Sequence, residues 1–290
     1  MKPAPFDYHA PTSVSDAVEL LSQYGDDAKV LAGGQSLVPM LALRLARFDH
    51  LVDLGRISEL RQVERSNGAL RVGAMASQGA IERNPDVAPL VPLLARATPL
   101  IGHFQIRNRG TVGGSLAHAD PAAEYPAVAL ALDVDLEVAG ASGSRRIAAN
   151  DFFVSTWTTA LAEDELLMAA HFPIWSGRVG FSIQEVARRA GDFALTGAAC
   201  GVELGNSGEI RRCGIGMFGM AGTPVRASAA ESMLIGSAPS RSDLGEIGRL
   251  AVDGLDPPDD IHASGAYRRR VGAVMVERVL SQAIEEASRG

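Results

Sequence analysis

The apolar positions of this chain change their spacing three times, and each change predicts a different kind of unit. Ala17, Val18, Leu20 and Leu21 recur at helical spacing within Ser15–Tyr24, behind Ser13 as an N-cap and ahead of Gly25 as a stop. Lys29–Ala32 is a short apolar run that predicts a buried strand, Leu37–Arg47 returns to helical spacing, and His50–Leu54 reads as a strand. With Asp7–Ala10 ahead of them, these segments predict a βαβ-like first unit. From Ile57 the pattern shortens. Leu60–Glu64 and Ala69–Gly73 predict a hairpin about Ser66-Asn67-Gly68. Ser77–Arg83 and Val87–Ala97 predict helices, followed by a short helix over Pro126–Leu132. Strands at Asp135–Ala139 and Arg145–Ile147 flank a turn at Gly140–Gly143, and a short helix at Asn150–Phe153 precedes a strand at Glu165–Phe172. Beyond Pro173–Gly180, where Pro, Gly and Ser cluster as in a linker, Phe181–Ala187, Ala194–Leu204 and Ile210–Met220 predict a three-stranded meander. Helices at Ala227–Leu234, Arg241–Val252 and Ala266–Ala287 complete an α+β unit.

Composition narrows the function classes. The 290 residues suggest about two domains, and at 47% hydrophobic and 21% charged they can bury a large core. A formal charge of −7 with no basic stripe argues against nucleic acid as a partner. Two cysteines, Cys200 and Cys213, make no disulfide framework and are too few to hold an iron–sulfur cluster. No apolar run is long enough for a membrane span and the first residues lack a signal-peptide core, so a cytoplasmic location is expected. His103, His118 and Asp120 fit no common zinc spacing, and Ser115, His118 and Asp120 lack the context of a catalytic triad.

The candidate chemistry lies in two glycine pairs, Ala32-Gly33-Gly34-Gln35-Ser36 and Thr111-Val112-Gly113-Gly114-Ser115. Paired glycines let the backbone reach φ > 0 and approach a ligand closely, and successive N–H groups in such turns converge on anions. Neither pair makes a dinucleotide fingerprint or a Walker loop. Two pairs of the same grammar predict two walls around one phosphate-bearing ligand. The second lies in a polar stretch, Gln105 to Glu124, that carries Arg, His, hydroxyl and acidic side chains.

That stretch, Gln105-Ile106-Arg107-Asn108-Arg109-Gly110 leading into the second pair and on to Ala119-Asp120-Pro121-Ala122-Ala123-Glu124, resembles the FAD-binding medium subunit of molybdenum hydroxylases. This group includes carbon monoxide dehydrogenase, xanthine dehydrogenase and the N-heteroaromatic hydroxylases. Leu31–Leu37 and Arg188–Ala194 resemble two further motifs of the same family, so the likeness runs through the whole chain. It implies an α+β chain with a vanillyl-alcohol-oxidase-type (PCMH) FAD-binding fold. Its two subdomains would span residues 1–55 and 56–175, with a C-terminal flavoprotein domain over 176–290.

The resemblance also implies a non-covalent FAD site, since neither glycine pair contains His. Its residues would be Leu31, Ala32, Gly33, Gly34, Gln35, Ser36, Leu37, Gly102, Thr111, Gly113, Gly114, Ser115, His118, Glu124, Leu167, Gln184 and Phe193. Leu31 and Gly102 would line the pocket, Glu124 would stand near the adenosine end, Leu167 near the adenine or ring, and Phe193 over the flavin ring. Gln184 stands where many members have a flavin-contacting Lys. A molybdenum cofactor on a large subunit and [2Fe-2S] clusters on a small subunit are implied for the partners, in a dimer of heterotrimers. Electrons would pass through this chain to an external acceptor, and no residue of this chain would be catalytic toward the organic substrate. A stand-alone FAD-dependent oxidoreductase of the same fold is the alternative.

Overall fold

A computed structural model describes residues 2–290, arranged around three larger sheets. The first is parallel, with His50–Asp53 between Asp7–His9 and Ala28–Leu31. The helix Val14–Tyr24 makes the crossover, its N-terminus capped by Ser13, whose side chain accepts from the Asp16 amide. Ala17, Val18 and Leu21 are its buried face, against Val52, Leu54 and Leu60.

The second sheet is antiparallel, in the order Val63–Ser66, Ala69–Gly73, Leu166–Pro173, Asp135–Gly140, Gly143–Ala148. Asn67 and Gly68 both have positive φ, the backbone that the Asn-Gly hairpin turn requires. Behind this sheet the helix Glu124–Leu132 is buried along its whole length, and Tyr125 bonds its hydroxyl to Thr98 at 2.9 Å.

The third sheet joins Arg178–Ala187, Ala194–Leu204 and Ile210–Phe218, with a two-residue fourth strand, Val225–Arg226, at its edge. The sequence pattern shows only the three long strands, because two residues carry no alternation. One face of this sheet is covered by the 25-residue helix Gly265–Arg289. Gly180 lies so close to it that a Cβ would meet the Ala283 carbonyl oxygen. The opposite face turns toward the helix Glu124–Leu132, where Cβ atoms at Gly214 and Gly216 would strike the carbonyls of Ala131 and Ala127.

Several elements are shorter than the pattern suggests. The helix expected over Leu37–Arg47 ends at Ala42, and Arg44 takes a φ of 59°, leaving Leu43 and Leu45 exposed. Val87–Ala97 is split into Val87–Leu90 and Pro92–Ala97 because Pro92 cannot donate to the helix ladder. The segment expected as a linker is tied down: Pro173 ends one strand, Arg178 begins the next, and between them Trp175 is buried against Phe181 with the Arg212 guanidinium 3.9 Å from its ring.

Candidate functional site

The strand Ala28–Leu31 delivers the chain into the first glycine pair. Gly34 has a φ of 72°, in the region that favours glycine. Gly33 is required for a different reason: a Cβ there would lie 2.3 Å from the carbonyl oxygen of Arg109 and 2.8 Å from the Cα of Gly110. The first glycine segment therefore rests directly on the second. Among the described residues, none of the backbone N–H groups of Gly33, Gly34, Gln35 and Ser36 donates to a protein acceptor. Gln35 donates its side-chain amide to the Gly33 carbonyl at 2.9 Å, which holds the turn. Ser36 caps the helix Leu37–Ala42 by position only, making no side-chain cap bond.

The second pair differs from its sequence reading. It is the first turn of the helix Val112–His118 and not a loop, because Thr111 caps it by accepting from the Gly114 amide at 3.0 Å. Its N–H groups are engaged within the protein. Val112 donates to Ala76, Gly113 to Ala74 and Ser115 to Thr111, over 2.9 to 3.1 Å. A Cβ at Gly113 would lie 2.4 Å from the Ala74 Cβ, so this glycine serves packing. A Cβ at Gly114 would meet Ala32 at 3.2 Å, a second touch between the two segments.

A cleft of about 530 Å³ opens beside this junction. Leu31–Gln35 form one wall, and Asn108, Arg109 and Thr111 another. Arg61 and Asp53 also line it. Arg61 donates to the Gly55 carbonyl at 2.8 Å, and Asp53 accepts from the Gly55 amide at 2.7 Å and from the Tyr8 hydroxyl. Gly33, Gly34 and Gln35, with free N–H groups, line the same cleft as two arginines, a donor set that suits a diphosphate, since charge-assisted hydrogen bonds are the strong ones. Arg109 belongs to the quoted motif. Arg61 carries no local signal, because its place on the cleft depends on the 3-10 turn Ser58–Arg61.

The remaining residues implied by the family likeness fall outside this cleft. Gly102 has a φ of 49° and gives its carbonyl to Arg107, which is paired with Glu82 at 2.9 Å. Leu167 is buried in the core of the second sheet. His118 lies parallel to the Trp157 ring at 6.3 Å, and burial lowers its pKa below the ordinary histidine value. Phe193 is 65% exposed in the turn between two strands of the third sheet. In that turn Gly191 faces the His103 ring, with no room for a Cβ between them.

Glu124 opens the buried helix and is 7% exposed. Burial, then the charges of Glu185 and Asp120, push its carboxyl up to about 8. Burial pushes Glu185 up to about 7, and its Oε2 is buried without a hydrogen-bond partner. Gln184, its neighbour, faces the other way. On that strand Ser182 bonds Gln282 of the long C-terminal helix and Val186 packs with the same helix's core, so Gln184 shares their face.

Comparison with known proteins agrees with this architecture. Residues 4–175 match the family model described as the FAD binding domain in molybdopterin dehydrogenase. Residues 181–283 match the CO dehydrogenase flavoprotein C-terminal domain. The chain is 40% identical over 287 residues to the 6-hydroxypseudooxynicotine dehydrogenase complex subunit alpha of Paenarthrobacter nicotinovorans, covering 99% of this chain and 97% of that protein. It is 36% identical to the carbon monoxide dehydrogenase medium chain of Hydrogenophaga pseudoflava, covering 98% of each. The solved carbon monoxide dehydrogenase of that organism superposes with a TM-score of 0.96 over 99% of both chains. Quinoline 2-oxidoreductase from Pseudomonas putida 86 superposes with a TM-score of 0.92 at 36% identity, over 99% of both chains. The two glycine segments, the cleft at their junction and these full-length likenesses place the chain in the family of FAD-binding medium subunits of molybdenum hydroxylases.

Proposed function

We propose that this chain is the FAD-carrying electron-transfer subunit of a molybdenum hydroxylase. It would stand between the iron–sulfur small subunit, which receives electrons from a molybdenum large subunit, and an external acceptor. The observation that carries the reading is that Gly33, Gly34 and Gln35, whose N–H groups have no protein acceptor among the described residues, line a cleft that Arg61 and Arg109 also line. These groups would bind the pyrophosphate. Thr111, Gly113 and Gly114 would hold the Gly33 turn against the second segment. Ser115 and His118 on one helix, and Glu124 at the start of the next, would extend the site, and Phe193 would cover the ring. Bound FAD supplies the redox chemistry, and the protein contributes position and electrostatics. Cys200 and Cys213, both free and buried, are consistent with a cytoplasmic protein. Membership of a dimer of heterotrimers rests on the family likeness, whose named relatives include a complex subunit and a medium chain.

The test is titration of the cofactor-free chain with FAD, followed by flavin fluorescence and the visible spectrum. Saturable one-to-one binding that is lost in the Arg61→Ala, Arg109→Ala double variant supports the reading. Absence of binding by the wild-type chain, in a well-folded sample, overturns it.

A further inference from the structure

The parallel first sheet brings together two histidines that lie 41 residues apart in sequence. His9 ends the strand Asp7–His9, and His50 opens the strand His50–Asp53. The strands pair with Asp7 opposite His50 and His9 opposite Val52. Alternation puts Asp7 and His9 on one face of the first strand, and the register gives His50 the same face.

On that face the two rings meet nitrogen to nitrogen. His9 Nε2 lies 3.2 Å from His50 Nδ1, and neither ring has another hydrogen-bond partner among the described residues. The Tyr24 ring stacks on His50 at 3.7 Å and flanks His9 at 5.3 Å, which limits how far either imidazole can swing. Asp7 Oδ2 is 3.9 Å from the same His50 nitrogen, on a side chain that is 80% exposed and has room to turn. His9 also lines a surface cleft of about 380 Å³, whose wall includes Asp16, Glu19 and Gln23 of the helix Val14–Tyr24.

A separation of 3.2 Å stands at the long end for a hydrogen bond. It is also the separation of two ligands on one small metal ion. Nitrogens held about 2.0–2.1 Å from a metal are about 2.9 Å apart at a right angle and about 3.4 Å apart at the tetrahedral angle. Entry of an ion therefore asks for a tilt of the rings and no movement of either strand. One proton lies between the two nitrogens of the neutral pair. It moves to the far nitrogen of the ring that carried it, where no protein bond is lost. Among the described residues no group of three His, Cys, Asp or Glu side chains is already assembled around a metal position. The site is thus a two-histidine site, which Asp7 completes by turning inward and water fills.

We propose that His9 and His50 bind a divalent transition-metal ion of the zinc, cobalt or nickel type, with Asp7 as the third ligand. Imidazole nitrogen suits these ions, whereas magnesium and calcium take oxygen ligands. The ion ties the edge strand of the first sheet to its central strand. On the opposite face of the same two strands, Tyr8 hydrogen-bonds Asp53, which lines the cleft at the glycine segments. The metal braces that wall from behind, and the assignment is independent of the flavin reading.

The experiment uses the full-length chain without an affinity tag, stripped by a chelator, and titrates Zn²⁺ by calorimetry and Co²⁺ by visible absorption. One equivalent of each is expected to bind, magnesium is expected to have no effect, and zinc is expected to raise the melting temperature. His9→Ala and His50→Ala are each expected to weaken binding at least about ten-fold and to lose the rise in melting temperature. Asp7→Asn is expected to weaken it less, and His262→Ala, at an exposed histidine outside the patch, to bind as wild type does. A readout on the wild-type chain covers the case of a poorly folded variant: zinc is expected to shift the ring-nitrogen NMR signals of His9 and His50 and not those of the other histidines. Absence of saturable zinc binding by wild type overturns the proposal. So does affinity unchanged in the His9→Ala, His50→Ala double variant, or zinc shifts confined to other histidines.

Discussion

Replacing Gly33 by alanine places one methyl group at the point where the two glycine segments touch. Its carbon would lie 2.3 Å from the Arg109 carbonyl oxygen, whereas ordinary van der Waals contact begins near 3.4 Å. The shortfall is about 1.1 Å, and the atoms it meets are backbone of Arg109 and Gly110, which cannot rotate aside as a side chain can. One segment must move away from the other. Overpacking of this kind costs about 1–3 kcal/mol of stability. The larger effect falls on the cofactor. An N–H group displaced by about 1 Å no longer meets the length or angle of a good hydrogen bond. Each charge-assisted bond is worth about 1.5–3 kcal/mol, so losing two weakens FAD by on the order of 10²- to 10⁴-fold. The assay is fluorescence titration of the cofactor-free chain with FAD, with urea unfolding of the same sample to measure stability. A Gly33→Ala chain that binds FAD within about three-fold of wild type would refute the reasoning, because the segments would then part without moving the donors.

Other substitutions separate packing from binding and pH from both. Gly113→Val is expected to fail mainly by unfolding, since its side chain would enter the Ala74 backbone; a lower urea midpoint with FAD affinity less affected than in Gly33→Ala checks this. Glu124 titrates at about 8 in the folded chain, above its ordinary value of 4.5. The folded state then binds the extra proton between those values, and stability falls as pH rises through that window. Between about pH 6 and pH 8 this group alone removes about 2 kcal/mol, and urea unfolding of Glu124→Gln is expected to show that loss abolished. Phe193→Ala, at an exposed turn, is expected to change stability by less than about 0.5 kcal/mol and to retain FAD while shifting its reduction potential, read by potentiometry.

Local chemistry was the legible part of the sequence. Ser13 caps its helix as its position suggests, and Asn67-Gly68 makes its turn, because each device acts within a few residues. The positive φ at Gly34 in the first glycine segment was legible for the same reason. The second was not: a Gly-Gly pair looks the same whether it frees the backbone for a ligand or lets a helix press on Ala74, and only the long-range contact distinguishes them. Arg61 reaches the cleft through tertiary placement alone. The face on which Gln184 lies is a matter of register, where an offset of one residue reverses every side chain on a strand.

The central claim is that this chain carries FAD as a relay and does not itself oxidise the organic substrate. It is tested most directly by anaerobic spectroscopy of the FAD-loaded chain with a substrate of the holoenzyme, before and after the molybdenum and iron–sulfur subunits are added. The account predicts an unchanged oxidised flavin spectrum for the chain alone and bleaching once the partners are present. Bleaching of the flavin by substrate in the isolated chain would contradict it.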